Sequence, residues 1–431
     1  MSEDATLDEF QDNTESSQGQ GWQVVRLEDV SRKRSENVDP QEVDLERHVG
    51  LEHINPNMPY PGWEPIDGLS STKRYFKAGD VLFAKLRPNL EKSAQPSFEG
   101  VASTDIFPIV GKESVNSKYL LYRLSSKTAY DYARRTSAGT RMPRTSWNLF
   151  SNFEFGLPPL SEQRKIATVL HNVDQAIQKT EEIINQTESA KQALMQSLLL
   201  DGYYEHDETI DAHHRNRLPR HPSEWITKPA EEIMNVTRGA HPRPKSDDSL
   251  WGEDIPIIKI SDRDRGDSRT ITSTDDMVTE KGSQSSKLVD EGTLIVSNAG
   301  TVGAARITGM QTCIHDHWLI LRDYEEHLTT RYLYYFINWN QNFLEALASG
   351  STVLDLNTDD FRLFDVTFPT LDEQREITDA LDSLHEQKMV NLQYADRLRR
   401  VKQGLMQDLL SGTVSTTDTN IEVPDEIAQH G

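Results

Sequence analysis

Cysteine is all but missing: Cys313 stands alone in 431 residues. That excludes an intramolecular disulfide and any cysteine-rich zinc site, and fits a reducing compartment. Long apolar runs are missing too. None approaches the roughly 18 residues of a membrane span, and residues 1–20 are acidic and polar rather than signal-like, so a cytoplasmic protein with no membrane segment is expected. Positive charge is scarce, with 46 Lys and Arg against 69 Asp and Glu, a net −23. As a global sum this opposes binding to a polyanion such as duplex DNA. The sum is a weak test, because Arg outnumbers Lys and acids are spread along the whole chain, a composition suited to salt-rich cytoplasm. At molar salt the Debye length is about 3 Å, so distant acids hardly oppose a local basic patch.

Signatures of catalysis are also lacking. There is no Gly-x-Ser-x-Gly elbow and no His-Glu-x-x-His helix motif. The run Asn55-Pro56-Asn57-Met58-Pro59-Tyr60 is not the Asn-Pro-Pro-Tyr of adenine methyltransferases, and no glycine-rich cofactor loop precedes it. Gly239-Ala240-His241-Pro242-Arg243-Pro244-Lys245-Ser246 has nearly the spacing of a P-loop, but Pro244 replaces the second glycine. Proline removes a phosphate-cradling N–H and cannot take positive φ, so that loop fails mechanically.

What is present is a repeat. Leu157-Pro158-Pro159-Leu160-Ser161-Glu162-Gln163-Arg164-Lys165-Ile166 returns 211 positions later as Phe368-Pro369-Thr370-Leu371-Asp372-Glu373-Gln374-Arg375-Glu376-Ile377. Each copy opens a long helix: proline blocks helix upstream, Ser161 or Asp372 offers an N-cap oxygen, and Glu162 or Glu373 suits the positive end of the helix dipole. Steps of four and three then select Ile166, Leu170, Val173, Ile177, Thr180, Ile184, Thr187, Lys191, Leu194 and Leu198. In the second copy they select Ile377, Leu381, Leu384, Lys388, Asn391, Ala395, Leu398, Lys402, Leu405 and Leu409. This is the 3.5-residue spacing of a coiled-coil seam, and the two seams most simply pack on each other. Lys191 and Lys402 either fix register with the polar Thr180 and Asn391, or snorkel outward while Ala190 or Val401 packs. Gly202 and Gly412 supply the left-handed turn that ends each helix.

An α/β pattern precedes each helix. Gly79-Asp80-Val81-Leu82-Phe83 is answered by Gly292-Thr293-Leu294-Ile295-Val296, and Lys118-Tyr119-Leu120-Leu121-Tyr122 by Arg331-Tyr332-Leu333-Tyr334-Tyr335. Ala348-Ser349-Gly350-Ser351-Thr352 sits where Ser137-Ala138-Gly139-Thr140-Arg141 sat. The expected division is a disordered acidic tail at 1–20, a first unit at 21–156, a helix at 157–202 and a polar linker at 203–223. A second unit at 224–367, a second helix at 368–412 and a disordered tail at 413–431 complete it.

Leu-Pro-Pro-Leu, changed in the second copy to Phe368-Pro369-Thr370-Leu371 with Pro369 and Leu371 intact, and then Glu-Gln at the head of a heptad helix, each time after a 130- to 150-residue α/β unit, resembles the specificity subunits of type I restriction-modification enzymes. The resemblance implies an α/β (α+β) fold of two tandem target-recognition domains, separated by two long helices that form an antiparallel coiled coil, with pseudo-two-fold duplication. It implies that each domain reads one half of a bipartite double-stranded DNA site. The helices would set the spacing and dock two methyltransferase subunits through Leu160, Glu162, Gln163, Ile166, Leu371, Glu373, Gln374 and Ile377. Restriction subunits would join them. The chain itself would be non-catalytic and bind no cofactor, while S-adenosylmethionine, ATP and Mg²⁺ would belong to the partners. The rival readings are a coiled-coil scaffold with no DNA role and a self-sufficient methyltransferase or nuclease.

Basic and polar loop residues are the DNA-contact candidates. Lys85, Arg87 and Asn89 follow a buried strand, where loops usually bind. Arg134, Arg135, Thr140, Arg141 and Arg144 lie in a run with no acid from Ala133 to Phe150, a local exception in an acidic chain. Arg238, Arg243 and Lys245 lie on a proline-stiffened loop from which they reach phosphate or guanine edges. Asn298 and Thr301, around the family-like Gly300-Thr301-Val302-Gly303, and Ser351 and Thr352 complete the set. Cys313, His315 and His317 alternate, so on a strand they share a face that permits metal ligation, but no nearby spacing supplies a fourth ligand, and the expectation is no metal.

Overall fold

The computed structural model describes residues 21–428 apart from 57, 212–214, 245, 268 and 349–353. Two compact units divide it, residues 1–181 with 393–431, and residues 182–392.

In the first unit a central antiparallel sheet sets Ser31–Lys33, Ile106–Gly111, Val81–Ala84 and Ser93–Ala94 side by side, and a second, five-stranded sheet adjoins it in sequence. The apolar run 81–84 is wholly buried, as expected of a strand covered on both faces. Phe83 stacks on Phe150 and Tyr130 at 4.4 and 5.5 Å between ring centroids. The helix Ser117–Leu124 closes the core with Tyr119, Leu120 and Leu121. In the second unit Asn235–Arg238, Trp318–Arg322, Leu294–Ser297 and Ala305–Thr308 repeat the antiparallel arrangement, closed by the helix Thr330–Trp339. In both units an outer ribbon joins the first strand to the one leading into a long helix, Gln23–Arg26 with Glu154–Leu157 and Ile226–Pro229 with Asp365–Phe368.

The long helices run over Leu160–Asp201 and Leu371–Ser411. Their heads differ from expectation by one step. Both start a residue before Ser161 and Asp372, which therefore sit inside the first turn rather than at the cap. The Pro159 carbonyl takes the Gln163 N–H, and Thr370 caps the second helix by accepting from Glu373 N through Oγ1. Gly202 and Gly412 have φ of 85° and 77°, the left-handed turn predicted for them.

Every position of the predicted seam is buried or half-buried. In the first unit Lys402 meets Asp174 and Arg399 meets Glu181, each at 2.6 Å, so one index rises as the other falls and the helices run antiparallel. In the second unit Lys388 meets Glu188 at 2.8 Å. Lys402 is buried with its ammonium 5.9 Å from the Tyr122 ring, and Val401 is exposed, so the outward-snorkelling arrangement is not the one adopted there. Lys191 lies over Tyr335 in the same way at 5.6 Å.

The stretch expected to be a disordered tail and the one expected to be a polar linker are both docked. Within 413–431, Ile427 is fully buried, its carbonyl accepts from Asn116 Nδ2 at 2.7 Å, and Lys165 Nζ donates to the carbonyls of Thr417 and Thr419 at 2.8 Å. Within 203–223, Thr209–Asp211 pairs with Arg220–Pro222 and Leu218 enters the core. A few apolar residues hidden in a polar composition make the difference: each segment spends them on one unit's surface.

Candidate nucleic-acid interface

In the first unit two separate sequence candidates become one surface. Leu86 bridges Arg144 across an antiparallel contact, the Arg87 N–H donates to the Pro143 carbonyl at 2.7 Å, and the Thr145 N–H donates to the Lys85 carbonyl at 3.1 Å. Residues 85–89 and 138–145 are thereby laced together. Arg87, Asn89, Arg135, Thr140 and Arg141 are exposed on it, with Gly139 at φ 98° turning the chain between the arginines.

The acid-free run does not stay free of acids in space. Arg144 makes a bidentate pair with Asp105 at 2.9 and 3.0 Å, and Arg134 pairs with Asp131 and, at 3.6 Å, with Glu91. Among the described residues, Arg135 and Arg141 have no ion-pair partner. Lys33 joins the patch without having been indicated by sequence spacing. Lys33 and Lys85 both lie over the Phe107 ring, at 5.9 and 5.6 Å. Burial depresses Lys33, and the nearby Arg74 and Lys85 depress it further. Lys85 is lowered by burial, with Asp105 opposing and Arg74 and Arg144 adding to the fall. Both lysines are lowered first by burial, with neighbouring cations a smaller contribution. Only the fold brings them together, since Lys33 and Arg74 lie on strands of different sheets and Lys85 just past the end of a third strand.

The second unit uses the same frame with other side chains. Ala299 bridges Asp355 as Leu86 bridges Arg144, and the Leu356 N–H donates to the Asn298 carbonyl at 2.8 Å as Thr145 does to Lys85. Here the acid sits on the loop: Asp355 accepts from Arg238 at 2.9 Å and from Asn298 Nδ2 at 3.2 Å, and Arg238 Nε also donates to the Asp316 carbonyl at 2.7 Å. Asn298 is fully buried. It is therefore not a DNA-facing residue as it stands but a post for the loop, because strand pairing turns its side chain inward. Thr301 is exposed. Arg238, Gly239, Ala240, His241, Arg243, Ser285 and Asp316 line an open hollow of about 600 Å³, with Arg243 mostly exposed at its rim. Lys245, Ser351 and Thr352 lie outside the described residues.

A profile described as "Type I restriction modification DNA specificity domain" matches residues 19–189 and again 222–393, about four-fifths of the chain. The chain belongs to this family. As a type I specificity protein it is 22% identical over 348 residues to a Methanocaldococcus jannaschii protein described as a type I restriction enzyme MjaX specificity subunit, covering 78% of each chain. It is also 22% identical to the HindI specificity subunit of Haemophilus influenzae, covering 91% of this chain and 99% of that one. A solved chain from work on complex assembly and conformational transition of the type I R-M system shares the fold, with TM-score 0.57, 22% identity and coverage of 92% and 99%. The predicted architecture, two tandem recognition domains with two long helices, is the architecture found. No helix among the described residues is long and apolar enough to cross a membrane.

The duplicated Glu-Gln pair of this specificity subunit has a different job from the docking expected of it. Gln163 is buried: its Oε1 accepts from Asn116 N at 2.8 Å, and its Nε2 donates to the carbonyls of Pro158 and Ser114 at 2.8 and 3.1 Å. Gln374 repeats this with Thr329 N, Pro369 and His327 at 2.8, 3.0 and 2.8 Å. Asn116 and Thr329 are the N-caps of the two domain helices, so each glutamine ties its long helix to its own recognition domain. Glu162 accepts from Trp22 Nε1 and Ser415 Oγ, and Glu373 from Tyr203 N and His206 Nε2. Ile166 and Ile377 are in the domain cores, and Leu160 and Leu371 are half-buried. Buried side chains already engaged within the chain are not a surface for another subunit.

Proposed function

We propose that this chain is the non-catalytic DNA-reading subunit of a type I restriction-modification assembly, each unit reading one half of a bipartite duplex site. The observation that carries this reading is one strand-end frame used twice with opposite chemistry: Lys85 with Arg144 on Asp105 in the first unit, Arg238 on Asp355 beside Asn298 in the second. A shared scaffold with divergent loops suits two half-sites of different sequence. Arg135 and Arg141 in the first unit and Arg243 in the second are the side chains placed to reach phosphates or guanine edges.

The long helices act as the spacer. Docking of two methyltransferase subunits falls to exposed apolar helix residues such as Tyr394 and Val401, which are seven positions apart and 50% and 52% exposed. Restriction subunits complete the assembly. S-adenosylmethionine, ATP and Mg²⁺ enter with these partners, and the complex works in the cytoplasm where its DNA lies.

The test is selection from a pool of DNA with randomised spacers, with footprinting of the selected sites. Two protected patches of fixed separation are expected. One heptad inserted at matched points of both helices adds about 10 Å, and at about 3.4 Å per base pair the preferred gap lengthens by about three base pairs with the half-sites unchanged. No protection at all would leave the scaffold reading. Turnover by the purified chain alone, given S-adenosylmethionine or ATP and Mg²⁺, would make it an enzyme.

A further inference from the structure

The tip of the basic loop in the first unit holds an apolar side chain among cations. Residues 138–144 form a tight hairpin, in which the Ala138 N–H donates to the Arg144 carbonyl and the Arg144 N–H to the Ala138 carbonyl, each at 3.0 Å. Gly139 turns the chain at φ 98°, so closely that a Cβ there would meet the Met142 carbonyl at 3.4 Å. Thr140, Arg141 and Met142 are exposed at the tip, Met142 by 45%.

This tip is held from below. Arg144, which pairs with Asp105, also donates from Nη1 to the Met142 carbonyl at 3.3 Å. The next carbonyl, that of Pro143, accepts from the Arg87 N–H, and the hydroxyls of Thr145 and Thr136 lie 2.9 Å apart at the base of the hairpin. Arg87 itself stands at φ 48°, a left-handed conformation uncommon outside glycine. Fixed backbone on each flank gives Arg141 and Met142 a defined place, as a side chain that reads a base edge requires.

A single exposed apolar residue is ordinary on a protein surface, and it is the surroundings that single Met142 out. Arg87, Arg135 and Arg141 are exposed on the same laced surface, so a duplex drawn to these cations brings its base edges to the thioether. A thioether donates no hydrogen bond and forms no ion pair with phosphate. On the groove edge of a base pair, the apolar group is the C5 methyl of thymine. The second unit also keeps an apolar side chain in this frame. By the matched bridges of Leu86 to Arg144 and Ala299 to Asp355, Leu354 takes the place of Pro143, next to that of Met142, and it is 36% exposed.

We propose that Met142 reads a thymine of the first half-site through its 5-methyl group, with Arg141 beside it on phosphate or guanine. This rests on the DNA-reading function proposed above and names the chemistry of one position within it. The methionine side chain is unbranched and polarizable, so it closes around a methyl group without demanding one exact distance. A pyrimidine that lacks the methyl leaves the contact empty.

The experiment uses the full-length chain with its methyltransferase partners, on the half-sites fixed by selection. Each thymine of the first half-site is replaced in turn by deoxyuridine, which removes the methyl and keeps the base pairing. One position should lose about 3- to 5-fold in affinity, the worth of one buried methyl group. Met142→Ala should weaken binding to the native site by at least that factor and no longer distinguish thymine from deoxyuridine there, whereas Met142→Leu keeps the distinction. Discrimination at the second half-site should be the same in all three proteins. Hydrogen exchange over Ser117–Leu124 checks that each variant is folded. If Met142→Ala does not fold, Met142→Gln, similar in length but polar, takes its place. A first half-site without thymine, no loss at any deoxyuridine position, or a folded variant lacking Met142 and Leu there that still distinguishes the two bases overturns the proposal while two footprints remain. Absence of any footprint would sink the DNA reading and the proposal with it.

Discussion

Replacing Gln163 by Glu changes one atom group and leaves no cavity, so it isolates the fastener between the first long helix and its recognition domain. The new Oε atoms still accept from Asn116 N, but the carbonyls of Ser114 and Pro158 lose their donor and face a carboxylate instead. Each buried polar group left unsatisfied costs about 1–3 kcal/mol, and two of them give a loss of about 3 kcal/mol or more before the desolvated charge is counted. With a urea m-value of about 2–3 kcal/mol/M for a unit of this size, the midpoint of the first unit should fall by about 1 M or more. Hydrogen exchange with mass spectrometry along a urea series reads the units separately, through peptides of Ser117–Leu124 and Thr330–Trp339. The loss should appear in the first peptide and not the second. It should also shrink in acid, because burial raises the folded-state pKa of the introduced carboxyl, making its penalty full above that pKa and relieved as protonation restores one donor. A midpoint unchanged within about 0.3 M, against the shift of 1 M or more set by that m-value, would refute the fastening role.

Arg141→Ala should weaken binding through the first half-site by about 1–3 kcal/mol if the guanidinium reads a base, and Arg144→Ala by less, since that side chain must first leave Asp105; binding assays on single-half-site mutants of the DNA decide between them. Burial would lower the His206 pKa, but its hydrogen bonds to Glu373 and Glu224 raise it overall. Its stabilisation of the second unit is therefore complete below about pH 6.5, the ordinary histidine value, and fades as pH rises through the folded pKa; unfolding midpoints from acid to alkaline pH should show this slope, and His206→Gln should flatten it. Removing residues 413–431 exposes the pocket of Ile427 and should destabilise the first unit alone, by about 2–4 kcal/mol as for loss of a large buried aliphatic side chain, measured by the same peptide-resolved exchange. With −23 net charge the fold should loosen in about 50 mM salt, where the Debye length exceeds 10 Å; full circular dichroism signal there would count against it.

The duplication, the two seams and the α/β rhythm were legible because they are periodic, and periodicity survives in one dimension. Helix heads were legible to within one residue, the error arising because a backbone carbonyl at Pro159 or a threonine at Thr370 can start a helix as well as the more obvious Ser161 or Asp372. The surface around Arg144 was half legible. Its basic residues stand out by composition, but Asp105 lies 39 positions away and neutralises one of them only after Ile106–Gly111 and Val81–Ala84 have paired. Asn298 and the Glu-Gln pair show the opposite failure: polar residues in a motif look like a surface, and only packing reveals that their partners are backbone groups of the same chain.

The division of the chain sets an order for its birth on the ribosome. The second unit is one continuous stretch, 182–392, whereas the first needs 393–431 as well as everything before 181. Leu409, Leu410 and Ile427 belong to the first unit's core, yet they are made only after the whole of the second unit. The domain translated first must therefore wait with an open apolar face while its neighbour is translated and folds. A chain halted before residue 409 would leave that face uncovered, and such exposed surface is where nascent proteins aggregate and chaperones bind. Completion of the first DNA-reading unit thus reports that the second has already been translated.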